Sequence, residues 1–265
     1  MKNGFTVFLA SFFVLGSSWT AFVLGSAIQL GHEKQTTVLN GSDAYPVQRA
    51  GEATLGLQVY RASGCAACHT EQVQQNGMAC DVILTAAGKN AAAVSNLVAK
   101  LKLSDLSEEE AAATADKITA AGGKVETRII ATGGDIARGW GIRHSVAADY
   151  LYDYPVQLGS LRVGPDLGAI GVRMADVNLQ LQHLYAPKSV NAASAMPPFR
   201  FLFEVRKVGT VRSPEALNLP KEFAPADGYE VVPKPEARQL VAYLLSLRAD
   251  VPLYEAPFTP ATPKK

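Results

Sequence analysis

The sequence predicts a mainly α-helical protein with one N-terminal transmembrane helix and a small α/β module inserted into its main domain. Three observations carry this expectation. Residues 5–30 run without a single charge. A helical stretch leads directly into Cys65-Ala66-Ala67-Cys68-His69. The segment 78–135 then alternates strand-like and helix-like patterns before the main domain resumes. The expected organisation is an anchor over 1–32, a linker over 33–50, a main domain over 51–250 interrupted by the module at 78–135, and a proline-rich tail over 251–265.

Each element has a local reason. The apolar run from Phe5 to Leu30 follows Lys2 and stops before His32-Glu33-Lys34. At 1.5 Å per residue it is long enough for a hydrocarbon core of about 30 Å. A cleaved signal peptide is the alternative, since its apolar region is shorter but Gly25-Ser26-Ala27 offers small residues. Either reading carries the rest of the chain across the membrane, and Lys2 fits a positive-inside orientation. Residues 32–50 read as extended. Gly51 to Arg61 reads as a helix with Leu55, Val59 and Tyr60 as its apolar residues.

In the module, Asp81–Thr85 and Val125–Ile130 read as strands. Ala91–Leu103 reads as a helix with Val94, Leu97, Val98 and Leu101 on one side. Ser107 is placed to cap a second helix, Glu108–Glu110 suit its positive end, and Ala121-Gly122-Gly123 ends it. Further on, Leu179–Tyr185 reads as a helix. Pro235 opens a closing helix over 236–247, with Leu240, Tyr243, Leu244 and Leu247 on one face. The tail from Val251 holds four prolines in fifteen residues, which excludes a helix.

A net charge of +1 with no basic cluster gives no electrostatic case for nucleic acid. Three cysteines argue against a disulfide framework. The spacing of Cys65 and Cys68, followed at once by His69, is that of a covalent haem c site: two thiols for the haem vinyl groups and an axial imidazole for iron. A zinc half-site or a thiol redox pair shares the first part of the motif. Zinc would call for a second cysteine or histidine pair nearby, and a redox pair does not need His69. Cys80 has no nearby partner and reads as a buried or idle thiol.

The segment Gly159-Ser160-Leu161-Arg162-Val163-Gly164-Pro165-Asp166-Leu167-Gly168-Ala169-Ile170-Gly171-Val172-Arg173 resembles the GPxLxGxxGR block of class I c-type cytochromes. That resemblance implies the class I cytochrome c fold, and a Pro165 carbonyl that accepts the Nδ1 proton of His69 and fixes the ring. The bland alternative is an ordinary Gly-Pro turn. For the second axial position the candidates are Met78, Met174, Met196 and the other histidines. Met78 lies too close to His69 along the chain, and Met174 abuts the proximal block. Met196 sits in Ser194-Ala195-Met196-Pro197-Pro198-Phe199, a proline-stiffened loop ahead of the last helix, and is the expected ligand. Arg162 is expected to pair a haem propionate, with an exposed surface arginine as the alternative. His183 is expected to pack or face solvent, His144 to be solvated, and His32 to lie at the membrane edge.

A more particular resemblance runs through Arg138-Gly139-Trp140-Gly141, Ser145, Tyr152-Asp153-Tyr154-Pro155, Gly159 to Leu167, His183-Leu184, Pro187, Val190, Ser194, Met196-Pro197 and Phe201-Leu202-Phe203. Over roughly 28–75 and 138–205, with the closing helix, the chain is similar to the mono-haem subunit II (FixO or CcoO) of cbb3-type cytochrome c oxidases. It departs from that family in having Leu179 where an aromatic residue is usual, a long loop from Arg206 to Pro235, and the module itself. The segments 81–88 and 108–128 of the module resemble the C-terminal domain of the bacterial ribosomal stalk protein, shortened by about a helix; a reused fold is implied, with no ribosomal role.

The resemblance implies one covalent haem c and a single-pass bacterial inner-membrane protein with its haem domain on the periplasmic side. Its partners would be a haem–copper oxidase catalytic subunit and other respiratory cytochromes. Trp140 would lie at the haem edge. The chain would relay single electrons and would not catalyse a reaction alone, with both axial positions filled and no small-molecule substrate. Alternatives are the cytochrome c subunit of a nitric oxide reductase, a stand-alone membrane-anchored carrier, and, from another class, a haem-based gas sensor with an open sixth site.

Overall fold

The structure, a computed structural model, describes residues 3–32, 34–38 and 41–253. Helix α1 (Gly4–Trp19) continues through a π-helical stretch, Thr20–Gly25, into α2 (Ser26–Gly31). Its large apolar side chains, among them Phe5, Phe8, Phe12, Phe13, Trp19 and Phe22, are exposed. The helix is therefore long and apolar enough to cross a membrane, and among the described residues nothing buries its apolar side chains.

The linker differs from the extended segment expected. Strands β1 (Thr36–Thr37) and β2 (Ala44–Tyr45) pair antiparallel, Thr36 opposite Tyr45. The segment is then fastened to the main domain by side chains. Tyr45 donates its hydroxyl to Asp149 at 2.8 Å, and Arg49 donates to Ser246 at 2.9 Å and to Asp153 at 3.2 Å. The sequence conceals this because every partner is remote along the chain.

The main core forms where α3 (Gly51–Ala62) crosses α10 (Pro235–Ser246). Pro235 starts α10 at a position where its missing N–H is not needed. Tyr60 and Tyr243 are both fully buried at the crossing, with ring centroids 5.2 Å apart. Around them pack Leu240, Val241 and Leu244 of α10 and Leu181, Leu184 and Tyr185 of α8 (Val177–Tyr185). Asp176 caps α8 by accepting the N–H groups of Asn178 and Leu179 at 2.7 and 3.1 Å. The two long helices approach so closely at Gly56 that a Cβ there would stand 1.9 Å from the Gln239 carbonyl oxygen and 2.8 Å from Tyr243 Cβ.

The module has a second core of its own. Strands β3 (Gly77–Ala86) and β4 (Lys124–Thr132) pair antiparallel, Cys80 opposite Ile129 and Leu84 opposite Val125. Cys80 and Val82 pack against Val94 of α4 (Ala91–Val98) and against Ala111 and Ile118 of α5 (Glu108–Ala120). A capping box starts α5: Glu110 N–H donates to Ser107 Oγ, and Ser107 N–H donates to the Glu110 carboxylate. Helix α4 stops at Val98, short of the Leu103 expected. The chain leaves it to run along the free edge of β3, where Val82 N–H donates to the Leu103 carbonyl and Cys80 exchanges two backbone hydrogen bonds with Leu106. An unpaired strand edge needs such partners, and the helix yields its last turn to supply them.

After β4 come α6 (Gly134–Ala137), α7 (Ile170–Arg173), α8 and α9 (Pro187–Val190). The segment from Arg206 to Pro235, expected as a long loop, includes much of a two-stranded sheet: β5 (Phe203–Lys207) pairs antiparallel with β6 (Tyr229–Pro233). Of the tail, residues 254–265 lie outside the described residues; Leu253 is buried and the Val251 carbonyl accepts from Arg143 at 2.7 Å.

The crossing at Gly56 generates a direct expectation. Gly56→Ala forces α3 and α10 apart and lowers unfolding stability by about 1–3 kcal/mol, the usual range for overpacking. Denaturant unfolding in detergent, followed by near-ultraviolet signals from Tyr60 and Tyr243, measures it.

Candidate haem site

Helix α3 delivers the chain into a single 3-10 turn, Cys65–Ala67. His69 N–H and Cys68 N–H both donate to the Cys65 carbonyl, at 3.0 and 3.1 Å. One tight turn thus carries both thiols and the imidazole. Cys65 is half-buried against the main core, Cys68 is exposed, and both are free thiols. Burial pushes the Cys65 thiol up to about 11. Cys80 is buried in the module's core on β3.

The segment 158–168 lies alongside this turn. Ser160 N–H donates to Ala66, Glu71 N–H to Leu158, Gly164 N–H to Cys68, and Leu167 N–H to Thr70. That pairing sets His69 Nδ1 at 2.8 Å from the Pro165 carbonyl oxygen. A carbonyl can only accept, so Nδ1 carries the proton and Nε2 keeps its lone pair for a metal. The ring's place leaves no room for a side chain at residue 164. A Cβ on Gly164 would stand 2.3 Å from His69 Cε1.

Asp166 secures the pairing. It is fully buried and accepts Thr70 Oγ1–H at 2.6 Å, Gln72 N–H at 2.8 Å and Gly168 N–H at 2.8 Å, with Arg162 Nη2 at 3.6 Å. Arg162 also reaches Asp135, its Nη1 2.7 Å from both carboxylate oxygens, and it donates to the Gln72 carbonyl. Asp135 in turn accepts Gln74 N–H at 2.7 Å. The guanidinium expected to pair a propionate is thus already engaged by two carboxylates of the chain. Trp140 lies beside it, with the Arg138 guanidinium 5.1 Å and the Arg162 guanidinium 6.0 Å from its ring centroid.

Met196 is half-buried and borders the same core as Cys65, Ala66 and Met174. Its N–H donates to Ser194 Oγ at 3.2 Å, and Phe199 N–H donates to the Leu184 carbonyl at 2.9 Å, which ties the methionine loop to α8. Met78 is on β3, in register with Ala131. His144 is hydrogen-bonded with Gln75 rather than solvated alone. His183 is half-buried on α8, and its Nδ1 is sealed from solvent without a hydrogen-bond partner.

Two acidic residues at the site escaped the sequence reading, besides Asp135. Asp166 stood inside a recognised block without a role. Glu71, two residues past His69, is buried at 2 % exposure and receives the Tyr243 hydroxyl at 2.9 Å on both oxygens. Burial raises its carboxyl to about 7 despite that hydrogen bond and the nearby Arg49 charge. Nothing local in the sequence marks a glutamate for such burial.

Among the described residues, no group of three or more His, Cys, Asp or Glu side chains converges to hold a bare metal ion. The zinc alternative therefore has no ligand set there. The same residues do fit covalent haem c: two thiols on one turn, an imidazole oriented through Nδ1 with Nε2 open, and a glycine that clears the ring.

Two outcomes are expected. Asp166→Ala leaves Thr70, Gln72, Gly168 and Arg162 without their shared acceptor and costs roughly 3–5 kcal/mol in denaturant unfolding, the scale for breaking a buried charged network. For Glu71, the folded chain holds its proton to about pH 7, whereas a glutamate ordinarily releases it at 4.5. The folded state binds the extra proton in that window, so this group's contribution is full below 4.5 and is lost as pH rises to 7. Glu71→Gln flattens that part of the stability–pH profile, measured as the urea midpoint across pH 4–8.

The family model for the cytochrome c oxidase mono-haem subunit, FixO, matches residues 135–225. No curated protein matches the chain. The matched span holds Trp140, Arg162, Pro165, Asp166, His183 and Met196, while Cys65, Cys68 and His69 lie before it. Over residues 135–225, then, the chain is similar to the mono-haem oxidase subunit.

Proposed function

We propose that the chain is the membrane-anchored mono-haem cytochrome c subunit of a cbb3-type-like haem–copper oxidase, passing single electrons to the catalytic subunit. The observation that carries this reading is the contact between His69 Nδ1 and the Pro165 carbonyl at 2.8 Å. It joins the thiol-bearing turn to the segment matched by the oxidase-subunit family.

In this reading Cys65 and Cys68 bond one haem c, and His69 and Met196 are its axial ligands. Haem supplies the one-electron couple. The chain's own work is positional. Pro165 fixes the His69 ring and raises its donor strength, and Gly164 leaves that ring its space. Met196 arrives on a loop stiffened by Pro197 and Pro198. Trp140 stands at the haem edge, and Arg162 pairs a propionate from within its bond to Asp135 and Asp166. Methionine as sixth ligand raises the potential relative to two histidines and closes the iron to small ligands. The uncharged N-terminal helix is retained as a single-pass anchor in the bacterial inner membrane, with the haem domain on the periplasmic side. The module at 78–135, a reused α/β fold like that of the ribosomal stalk protein's C-terminal domain, stands outside the electron path.

The test is gentle detergent purification of the full chain from its native membrane, with haem staining and identification of what accompanies it. A haem–copper oxidase catalytic subunit is the expected companion. The catalytic subunit of a nitric oxide reductase in its place, or the cytochrome alone, would contradict the oxidase assignment. On the same preparation, Met196→Ala is expected to lose the six-coordinate low-spin spectrum and to gain carbon monoxide binding. An unsubstituted protein that already binds carbon monoxide fully at neutral pH would instead be a sensor.

A further inference from the structure

The segment 152–158 is turned inside out. Tyr152, Tyr154, Val156 and Leu158 are exposed, at 40, 95, 41 and 43 %. The polar residues between them, Asp153 and Gln157, are buried. A surface that meets only water favours the opposite arrangement, and a run of exposed apolar side chains marks a place that another molecule covers. Leu161 and Val163, also exposed, come just before Gly164, where the His69 ring sits, and are left to the haem.

The inversion has a cause. Asp153 is turned inward to pair with Arg49 of the linker, and the Gln157 side chain donates to the Pro155 carbonyl at 2.7 Å. The backbone is held to the thiol-bearing turn, where Leu158 accepts Glu71 N–H at 3.2 Å and Ser160 N–H donates to Ala66 at 3.1 Å. The apolar side chains are thus displayed on a fixed backbone beside that turn. Val47 of the linker, itself exposed, joins them, because it lines one cavity together with Tyr152.

Chain length limits where this surface stands. From Gly31, the end of the N-terminal helix, to Thr36 is at most about 18 Å of chain. Thr36 pairs with Tyr45, whose hydroxyl is bonded to Asp149. The exposed segment follows directly after the 3-10 turn that holds Asp149, so it starts near the membrane end of the helix. Residues 144–161 contain no lysine or arginine, the side chains that lipid phosphates attract. Two tyrosines among aliphatic residues on a pre-organised backbone suit a protein surface instead.

We infer that residues 152–158, with Val47, are the surface by which the chain docks on the haem–copper catalytic subunit, on the side of the membrane where the haem domain stands. The inference rests on the oxidase-subunit reading. It places the contact beside the turn that carries Cys65 and Cys68, so the partner that covers these side chains stands next to the haem that reduces it.

The test uses the full chain in its native membrane. The photo-reactive residue p-benzoylphenylalanine replaces Tyr154 or, for comparison, Val211, which is 80 % exposed on the loop between β5 and β6. After illumination and gentle detergent extraction, the probe at 154 is expected to yield a covalent adduct identified as the catalytic subunit, and the probe at 211 none. Tyr154→Glu is expected to lower the catalytic subunit recovered per covalent haem about tenfold, the scale of one interface residue. Lipid adducts at 154 would place the surface on the membrane, and adducts between two copies of the chain would make it a self-association face; either overturns the inference. So do equal adducts at both positions, no adduct at 154 in a complex that stays intact, and unchanged recovery in Tyr154→Glu. Failure of the catalytic subunit to accompany the unsubstituted chain overturns the oxidase-subunit reading itself, and is told apart from an intact complex in which the probe at 154 labels nothing.

Discussion

The Asp166 carboxylate holds the site together. It is fully buried, and a buried charge persists only when its acceptor positions are filled. Here they are filled by three residues that must stand in a particular order: Thr70 and Gln72 just past the thiol-bearing turn, and Gly168 just past Asp166 itself. Those bonds bring two segments nearly a hundred residues apart along the chain into register. Once they are in register, the position of the Pro165 carbonyl against His69 follows, as does the tight space at Gly164. The orientation of the imidazole is therefore a consequence of how one carboxylate is satisfied.

The same network explains how a whole module fits between the turn and its partner segment. The module begins at Gly77 and ends at Thr132, and its first and last strands are neighbours in one sheet. Its two ends therefore leave close together, where Asn76 N–H donates to the Thr132 carbonyl at 2.8 Å. Asp135 then receives Gln74 N–H and pairs with Arg162. To the main domain the insertion amounts to a loop whose entrance and exit are clamped, and its separate core asks nothing of the crossing of α3 with α10.

Several buried polar groups meet just past the thiol-bearing turn: Thr70 and Glu71 follow it directly, and Asp166 and Asp135 accept hydrogen bonds from Thr70, Gln72 and Gln74. Glu71 ties the turn to α10 through the Tyr243 hydroxyl, and the Arg49 guanidinium lies 5.2 Å from the centroid of that tyrosine ring. The linker after the N-terminal helix is thereby connected to the site through a tyrosine.

Much of this was legible in the order of residues. Cys65, Cys68 and His69 announce themselves because their chemistry needs only local spacing, and one turn supplies it. Helix α3, helix α10 and the strands and helices of the module follow from periodicity, with ends that shift by a few residues. Ser107 and Glu110 cap α5 as a local pattern must. The Pro165 contact with His69 was expected through a resemblance. What only the tertiary structure decided is where the polar groups go. Arg162 turns to Asp135 and Asp166, Glu71 is buried beneath Tyr243, His183 keeps an unpaired nitrogen, and Arg49 reaches Asp153 across the fold. Each of these depends on partners brought close by packing rather than by sequence distance. Local spacing can specify a turn and the side chains it carries, but whether a charge is buried, and against what, is settled only when distant segments meet.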